Sequence, residues 1–214
     1  LVTGHTGFKG SWLTAMLHKL GAVVTGYSLP PNTNPNHYSL LNLPCHHVEG
    51  NILDVDHLEK VMEESGAEIV FHLAAQALVR PSYIDPVETY QSNVIGTLNV
   101  LQAARMSTRV KVMVMITTDK VYENVESDHF YREGDPLGGY DLYSSSKACC
   151  EILISSFRRS FFPLEKYGSS HDTLIATARA GNVLGGGDWS PDRLIPDLMK
   201  AAHAKQKVEI RNPL

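Results

Sequence analysis

The chain opens on Leu1-Val2-Thr3 and runs directly into Gly4-His5-Thr6-Gly7-Phe8-Lys9-Gly10. Glycine accepts the backbone angles of a tight turn and lets main-chain amides approach a bulky anion closely. Past the turn, Trp12, Leu13, Met16, Leu17 and Leu20 recur at helical spacing. A strand end, a glycine turn and a helix N-terminus pointing back at that turn make a seat for a diphosphate. A glycine triplet alone is also what a purely structural turn looks like, so the rest of the chain has to carry the reading.

The rest alternates between strand and helix patterns. Strands are expected over 22–27, near Val48, and over 68–73, 110–116, 173–179 and 208–211. Helices are expected over 55–65, 86–106, 144–161 and 191–204. The long helix shows an apolar stripe of Val87, Tyr90, Val94, Leu98 and Leu101, and the next one has Ile152, Leu153 and Phe157 as its core residues. Residues 28–44 and 122–139 read as loops, the second reaching over the site, and 164–172 reads as a surface insertion. The 110–116 run is almost continuously apolar, as a central parallel strand covered on both faces requires. The pattern predicts an α/β fold with a doubly wound parallel sheet, in which ligands bind at the carboxyl ends of the strands.

Thr117-Thr118-Asp119-Lys120 falls at such an end, and Tyr143-Ser144-Ser145-Ser146-Lys147 follows. Tyrosine and lysine four residues apart share one helix face. An ammonium beside a phenol lowers its pKa from about 10 toward neutrality. A phenolate can then take a proton from a sugar hydroxyl while hydride leaves the carbon that bears it. On its own, a Tyr–Lys pair is more often surface decoration. Here it stands in order with the glycine turn, with Phe71-His72-Leu73-Ala74-Ala75, whose small residues let a cofactor pass, and with Arg179-Ala180-Gly181-Asn182-Val183-Leu184-Gly185.

Composition removes several classes. A net charge of -4 disfavours nonspecific nucleic-acid binding. No apolar run approaches the ~20 residues needed to cross a bilayer. The first residues lack the sections of a secretory signal. Three cysteines, two of them adjacent, give neither a disulfide framework nor a zinc pattern, and buried thiols in a reducing cytoplasm are the simpler account. Ten histidines suggest metal only superficially, because the tandem His46-His47 would face opposite ways on a strand.

With these segments assembled, the sequence resembles the extended short-chain dehydrogenase/reductase family, and within it the nucleotide-sugar 4,6-dehydratases. GHTGFKGSW (4–12), FHLAAQ (71–76), TTDKVYEN (117–124), DPLGGYDLYSSSK (135–147), ARAGNVLGGGDW (178–189) and IRNP (210–213) carry the likeness. Lys120 is its most discriminating residue, since relatives acting on dTDP-glucose or GDP-mannose usually place glutamate there. Family members are longer, so the sequence is expected to be part of a larger protein. Residues 1–180 are expected to form the NAD-binding domain, and 181–214 the start of a substrate-binding lobe.

The resemblance implies NAD as cofactor, a nucleotide sugar (a CDP-sugar by likeness) as substrate, and a homodimer through the 86–106 and 141–161 helices. It implies cofactor contacts from Gly4, Thr6, Gly7, Phe8, Lys9, Gly10, Ser28, Asn51, Ile52, Leu73, Ala74, Ala75, Thr117, Tyr143 and Lys147. Ile52 and Leu73 read equally well as core residues. An acid that bonds the adenosine ribose is expected about 20 residues past the glycines, and this chain has Tyr27-Ser28-Leu29 there instead. Ser28 can bond a ribose hydroxyl but does not repel a 2′-phosphate. His5 is either neutral filler or a group that tunes diphosphate affinity.

The implied chemistry is internal redox. Tyr143 deprotonates the sugar 4-hydroxyl, and Thr118 bonds the same oxygen. Asp119 protonates the departing 6-hydroxyl, and Lys120, if burial and Lys147 lower its pKa, takes the C5 proton. Lys120 reads alternatively as a simple partner of Asp119 or a phosphate. Substrate contacts are expected from Gln76, Arg80, Ser82, Tyr83, Thr118, Asn182, Arg193 and Arg211, where arginine forks suit phosphate oxygens. Two rivals stand beside this reading: a 4-epimerase, which needs Tyr143 and Lys147 but not Asp119-Lys120, and a silent NAD-binding sensor.

Overall fold

The computed structural model describes residues 1–208 and 210. Six strands form one sheet: β1 (Val2–Thr3), β2 (Thr25–Ser28), β3 (His46–Glu49), β4 (Ile69–His72), β5 (Val112–Thr118) and β6 (Leu174–Ala180). Their order is β3-β2-β1-β4-β5-β6 and every pair is parallel. The chain winds outward from β1 on one side and returns to build β4 to β6 on the other. The order therefore reverses between β1 and β4, the point at which open α/β sheets bind ligands.

The helices are α1 (Phe8–Lys19), α2 (His37–Leu41), α3 (Val55–Glu64), α4 (Val79–Ile84), α5 (Pro86–Tyr90), α6 (Gly96–Met106), α7 (Leu142–Phe161) and α8 (Leu194–His203). Residues Gln91–Ile95 form a π-helical turn joining α5 to α6, so the expected long helix is one run with a bulge. Polar caps set several starts: Asp54 accepts from the His57 amide, Asp85 from Glu88 and Asp141 from Ser144. The core lies between the sheet and the helices, with Leu58, Met62, Val70, Leu101, Met113 and Met115 fully buried.

Five features differ from what the sequence pattern gives. The 28–44 segment contains α2, capped by Asn36, and 79–84 is helical despite Pro81. Ile152 is 59% exposed rather than core, and Ile154 takes its place. The fully buried residues of α1 are Gly10, Ser11 and Thr14, whose small size lets the helix lie close on the sheet; of the apolar stripe, Leu13 and Leu17 are half-buried while Trp12, Met16 and Leu20 are exposed. No strand forms at Val208 or Ile210, and residues 209 and 211–214 of that expected element lie outside the described residues.

That close approach can be tested. A Cβ on Gly10 would lie 2.1 Å from the Gly4 carbonyl oxygen and 2.8 Å from His5 Cα, both backbone atoms that cannot swing aside. Gly10→Ala should therefore destabilise the protein by about 1–3 kcal/mol, as overpacking does. An unchanged urea midpoint would mean that the turn has slack the geometry denies.

Candidate active site

The β1–α1 turn is built by hydrogen bonds from its own backbone. Gly4 donates to the Tyr27 carbonyl at 2.9 Å and Gly7 donates to the Gly4 carbonyl at 3.1 Å. Gly4 holds φ +75°, and a Cβ there would sit 2.6 Å from the Ala74 amide nitrogen, so the turn presses directly against the end of β4. Helix α1 starts at Gly7 with no side-chain cap and no acid in its first turn. Its leading amides are thus open to an anion.

Thr6 is buried and ties the turn to β2, bonding the Ser28 hydroxyl and the Leu29 carbonyl at 2.8 Å each. Ser28 is itself 5% exposed, so the hydroxyl expected at a ribose is already engaged. His5 is fully buried, edge-on to Tyr38, with Nε2 2.8 Å from His47 Nδ1. Burial lowers its pKa to about 4, with the neighbouring His47 charge acting the same way. It is a neutral packing group. A Cβ on Gly26 would meet its ring at 2.3 Å, so His5 fills the space that glycine leaves.

At the end of β4, His72 is locked between Thr3 at 2.7 Å and Thr97 at 3.0 Å, and Leu73, Ala74 and Ala75 follow half-buried. Ile52 is 4% exposed within the core and Asn51 lies exposed next to it. A Cβ on Gly96 would strike Ile52 Cδ1 at 2.3 Å, so that side chain belongs to packing.

At the end of β5, Thr118 donates to Asp119 Oδ1 at 3.0 Å and its hydroxyl accepts from the Lys120 amide at 3.4 Å. Thr117 is buried and its hydroxyl donates to Glu151 of α7. Asp119 and Lys120 are both exposed. The burial expected to tune Lys120 is absent among the described residues.

Helix α7 carries Tyr143 (9% exposed) and Lys147 (5% exposed) inward. Burial raises the Tyr143 pKa; the Thr118 hydroxyl and the Arg193 charge pull it down, while Asp119 and Asp141 raise it. Lys147 is not among the groups that lower it. The four-residue spacing fixes a shared face but not where two long side chains end. Burial also depresses the Lys147 pKa, with Lys9 acting in the same direction and the Cys150 thiol against it. Lys147 has no hydrogen bond or ion pair among the described residues. Lys9, in the first turn of α1, is likewise depressed by burial and then by Arg193, with Asp119 opposing. Electrostatic influence thus links Lys9 to Asp119, Lys147 and Arg193, and Tyr143 to Asp119 and Arg193, across the carboxyl ends of the strands.

The expected substrate residues divide. Arg80 pairs with Asp192 at 2.8 Å and Tyr83 is 61% exposed. Arg193 sits 3.8 Å from Asp188, and Asn182 is exposed past β6. Gln76 is consumed by structure: its amide donates to Asn93, its side chain donates to Thr89 and accepts from Leu78. Ser82 is fully buried and donates to the Val79 carbonyl at 2.6 Å. Arg211 lies outside the described residues. Lys9 had a place only among cofactor contacts; its coupling to Asp119 and Arg193 needed the fold.

A glycine turn packed backbone against backbone at Gly4 and Gly10, an uncapped helix start and a buried lysine without a hydrogen bond or ion pair among the described residues fit a dinucleotide here. Fold and cleft define the dinucleotide-binding class of open α/β proteins with a Tyr–Lys pair. The chain belongs to the NAD dependent epimerase/dehydratase family, whose profile matches residues 1–213. It is 48% identical over 99% of its length to a CDP-glucose 4,6-dehydratase from Salmonella typhimurium, and covers 59% of that protein. A dTDP-D-glucose 4,6-dehydratase from Dictyostelium discoideum is 28% identical over 98% of the chain, which covers 49% of it. Among solved structures, a Thermus thermophilus UDP-glucose 4-epimerase in complex with NAD superposes with a TM-score of 0.74 at 28% identity, over 89% of this chain and 58% of that one. The chain therefore spans about half to three-fifths of the length of these three relatives.

Proposed function

We propose that the protein to which this chain belongs converts CDP-glucose to CDP-4-keto-6-deoxyglucose by NAD-mediated internal redox and loss of water. The observation that carries the reading is Thr118 bonded to Asp119 at 3.0 Å at the end of β5, with both residues acting on the buried Tyr143 of α7. The likeness to the Salmonella enzyme supports the nucleotide and the sugar. NAD, when bound, supplies a reversible hydride acceptor. Lys9, Lys147 and the first amides of α1 hold its phosphates and ribose, a task suited to compact ammonium groups. Tyr143 takes the proton of the sugar 4-hydroxyl, with Thr118 bonding that oxygen. The resulting ketone acidifies C5 and Asp119 protonates the departing 6-hydroxyl; Lys120, exposed in the ligand-free chain, takes the C5 proton once bound substrate buries it and drives it to the neutral amine. Arg80, Arg193 and Arg211 hold the substrate phosphates, and 181–214 opens a substrate-binding lobe.

Among the described residues no helix is long and apolar enough to cross a membrane. The reading includes a cytoplasmic homodimer joined through α5, α6 and α7, where Val87 (65%) and Ile152 (59%) stand exposed. Incubating the full-length protein with CDP-, dTDP-, UDP- and GDP-linked glucose and reading 4-keto absorbance in alkali tests the function. Signal with CDP-glucose alone is expected; none with any of the four would refute it. Lys120→Met should leave C4 oxidation intact and stop before elimination, so a 4-keto sugar retaining its 6-hydroxyl accumulates by mass spectrometry. Unchanged turnover removes Lys120 from the chemistry.

A further inference from the structure

Glu151 stands one turn beyond Lys147, continuing the series Tyr143, Lys147, Glu151 along one face of α7. It is 5% exposed, and a carboxylate so placed survives only with its oxygens satisfied. One oxygen accepts from the Thr117 hydroxyl and the other from Arg179 Nη2 at 3.1 Å. Thr117 and Arg179 are register partners on β5 and β6, so the carboxylate bridges the helix to two adjacent strands at their carboxyl ends.

Arg179 then reaches further. Its Nη1 donates to the Glu133 carbonyl at 3.2 Å, and its guanidinium lies 4.9 Å from the centre of the Tyr122 ring. Both partners belong to the 122–139 strap, which leaves β5 immediately after Lys120. Tyr122 stacks on Tyr131 at 4.8 Å, extending the hold to the middle of the strap. Arg179 Nε is buried with no partner, so the fork is held by the two contacts at its tips.

We infer that the Glu151–Arg179 pair is a positioning device for the dehydratase site: it fixes the end of β5 and the strap against α7, and thereby sets Thr118 and Asp119 relative to Tyr143. Neither residue touches the reacting sugar. Glu151 holds Thr117, whose neighbour Thr118 acts on the phenol, and Arg179 holds the strap that follows Asp119 and Lys120. Misplacing reacting groups by about 1 Å costs on the order of a hundredfold in rate. The inference rests on the proposed function for its kinetic half only.

The test uses two variants of the full-length protein. Glu151→Gln keeps the shape of the side chain and loses the charge; Arg179→Lys keeps the charge and gives up the fork that reaches the strap. Each is measured for kcat and KM on CDP-glucose, and for chymotryptic cleavage at Phe130 and Tyr131, which are exposed in the strap. Both variants should be cut faster in the strap than wild type. Glu151→Gln should lower kcat by about tenfold to a hundredfold with KM within about twofold. Unchanged cleavage in Arg179→Lys, which retains the buried charge pair and so its fold, overturns the inference. So does a Glu151→Gln protein with wild-type kcat. If wild type itself lacks activity on nucleotide-glucoses, the proposed function fails, and the cleavage rates alone still decide whether the pair holds the strap.

Discussion

Tyr143→Phe is expected to cut turnover of CDP-glucose by about 10²–10⁴-fold, the usual weight of a positioned general base, while cofactor binding survives. The substitution removes one oxygen from a ring that is 9% exposed, so packing on α7 is kept. The pH profile gives a second reading. Burial holds the phenol above its ordinary value, against the pull of Thr118 and Arg193, so the ionised fraction grows as pH rises. In wild type kcat/KM should climb with pH through neutrality, and in Tyr143→Phe that limb should vanish. A variant that keeps both the limb and the rate would place the base elsewhere.

Lys147→Met should separate stability from function more sharply than any other change. The ammonium is buried, and no hydrogen bond or ion pair holds it among the described residues. Its folded pKa is depressed, chiefly by burial. Between that depressed value and about 10.4 the unfolded chain binds more protons than the folded one, so stability rises with pH across that window. Below the window the full cost of the buried charge remains. Methionine fills the same volume without the charge. The ligand-free protein should melt higher, by about 2–4 °C for each kcal/mol recovered, and lose its stability slope in that window. Turnover should fall to background, because the group that orients the cofactor is gone. A lower melting temperature would mean that Lys147 is structurally paired after all.

The doubly wound parallel class was legible because strand and helix patterns alternated, with breaks between them and a helical period in the longer helices. The short helices α2 and α4 were not, since five or six residues carry too little periodicity and Pro81 argues against the second. Helix α1 misled in a different way: its apolar residues were read at the correct spacing, but the sheet takes the small face. In the site, motif order singled out Tyr143, Lys147 and Thr118, and the fold carries Tyr143 and Lys147 inward on α7 with Thr118 at the end of β5. Lys147 is not among the groups that shift the phenol in the ligand-free chain, and helix spacing sets a shared face without setting where two long side chains end. Burial and the neighbours Thr118 and Arg193 dominate there instead. Glu151 had a signal in its i+4 step from Lys147, but its partners lie on β5 and β6 and only folding brings them to it.

The most direct measurement is deuterium uptake by the sugar when full-length protein turns over CDP-glucose in D₂O. A 4-keto-6-deoxy product carrying solvent deuterium at C5 is predicted, because elimination requires the C5 proton to be given up before C6 is reduced. A C4-epimerised hexose with its 6-hydroxyl retained and no deuterium at C5 would contradict the dehydratase and leave an epimerase in its place.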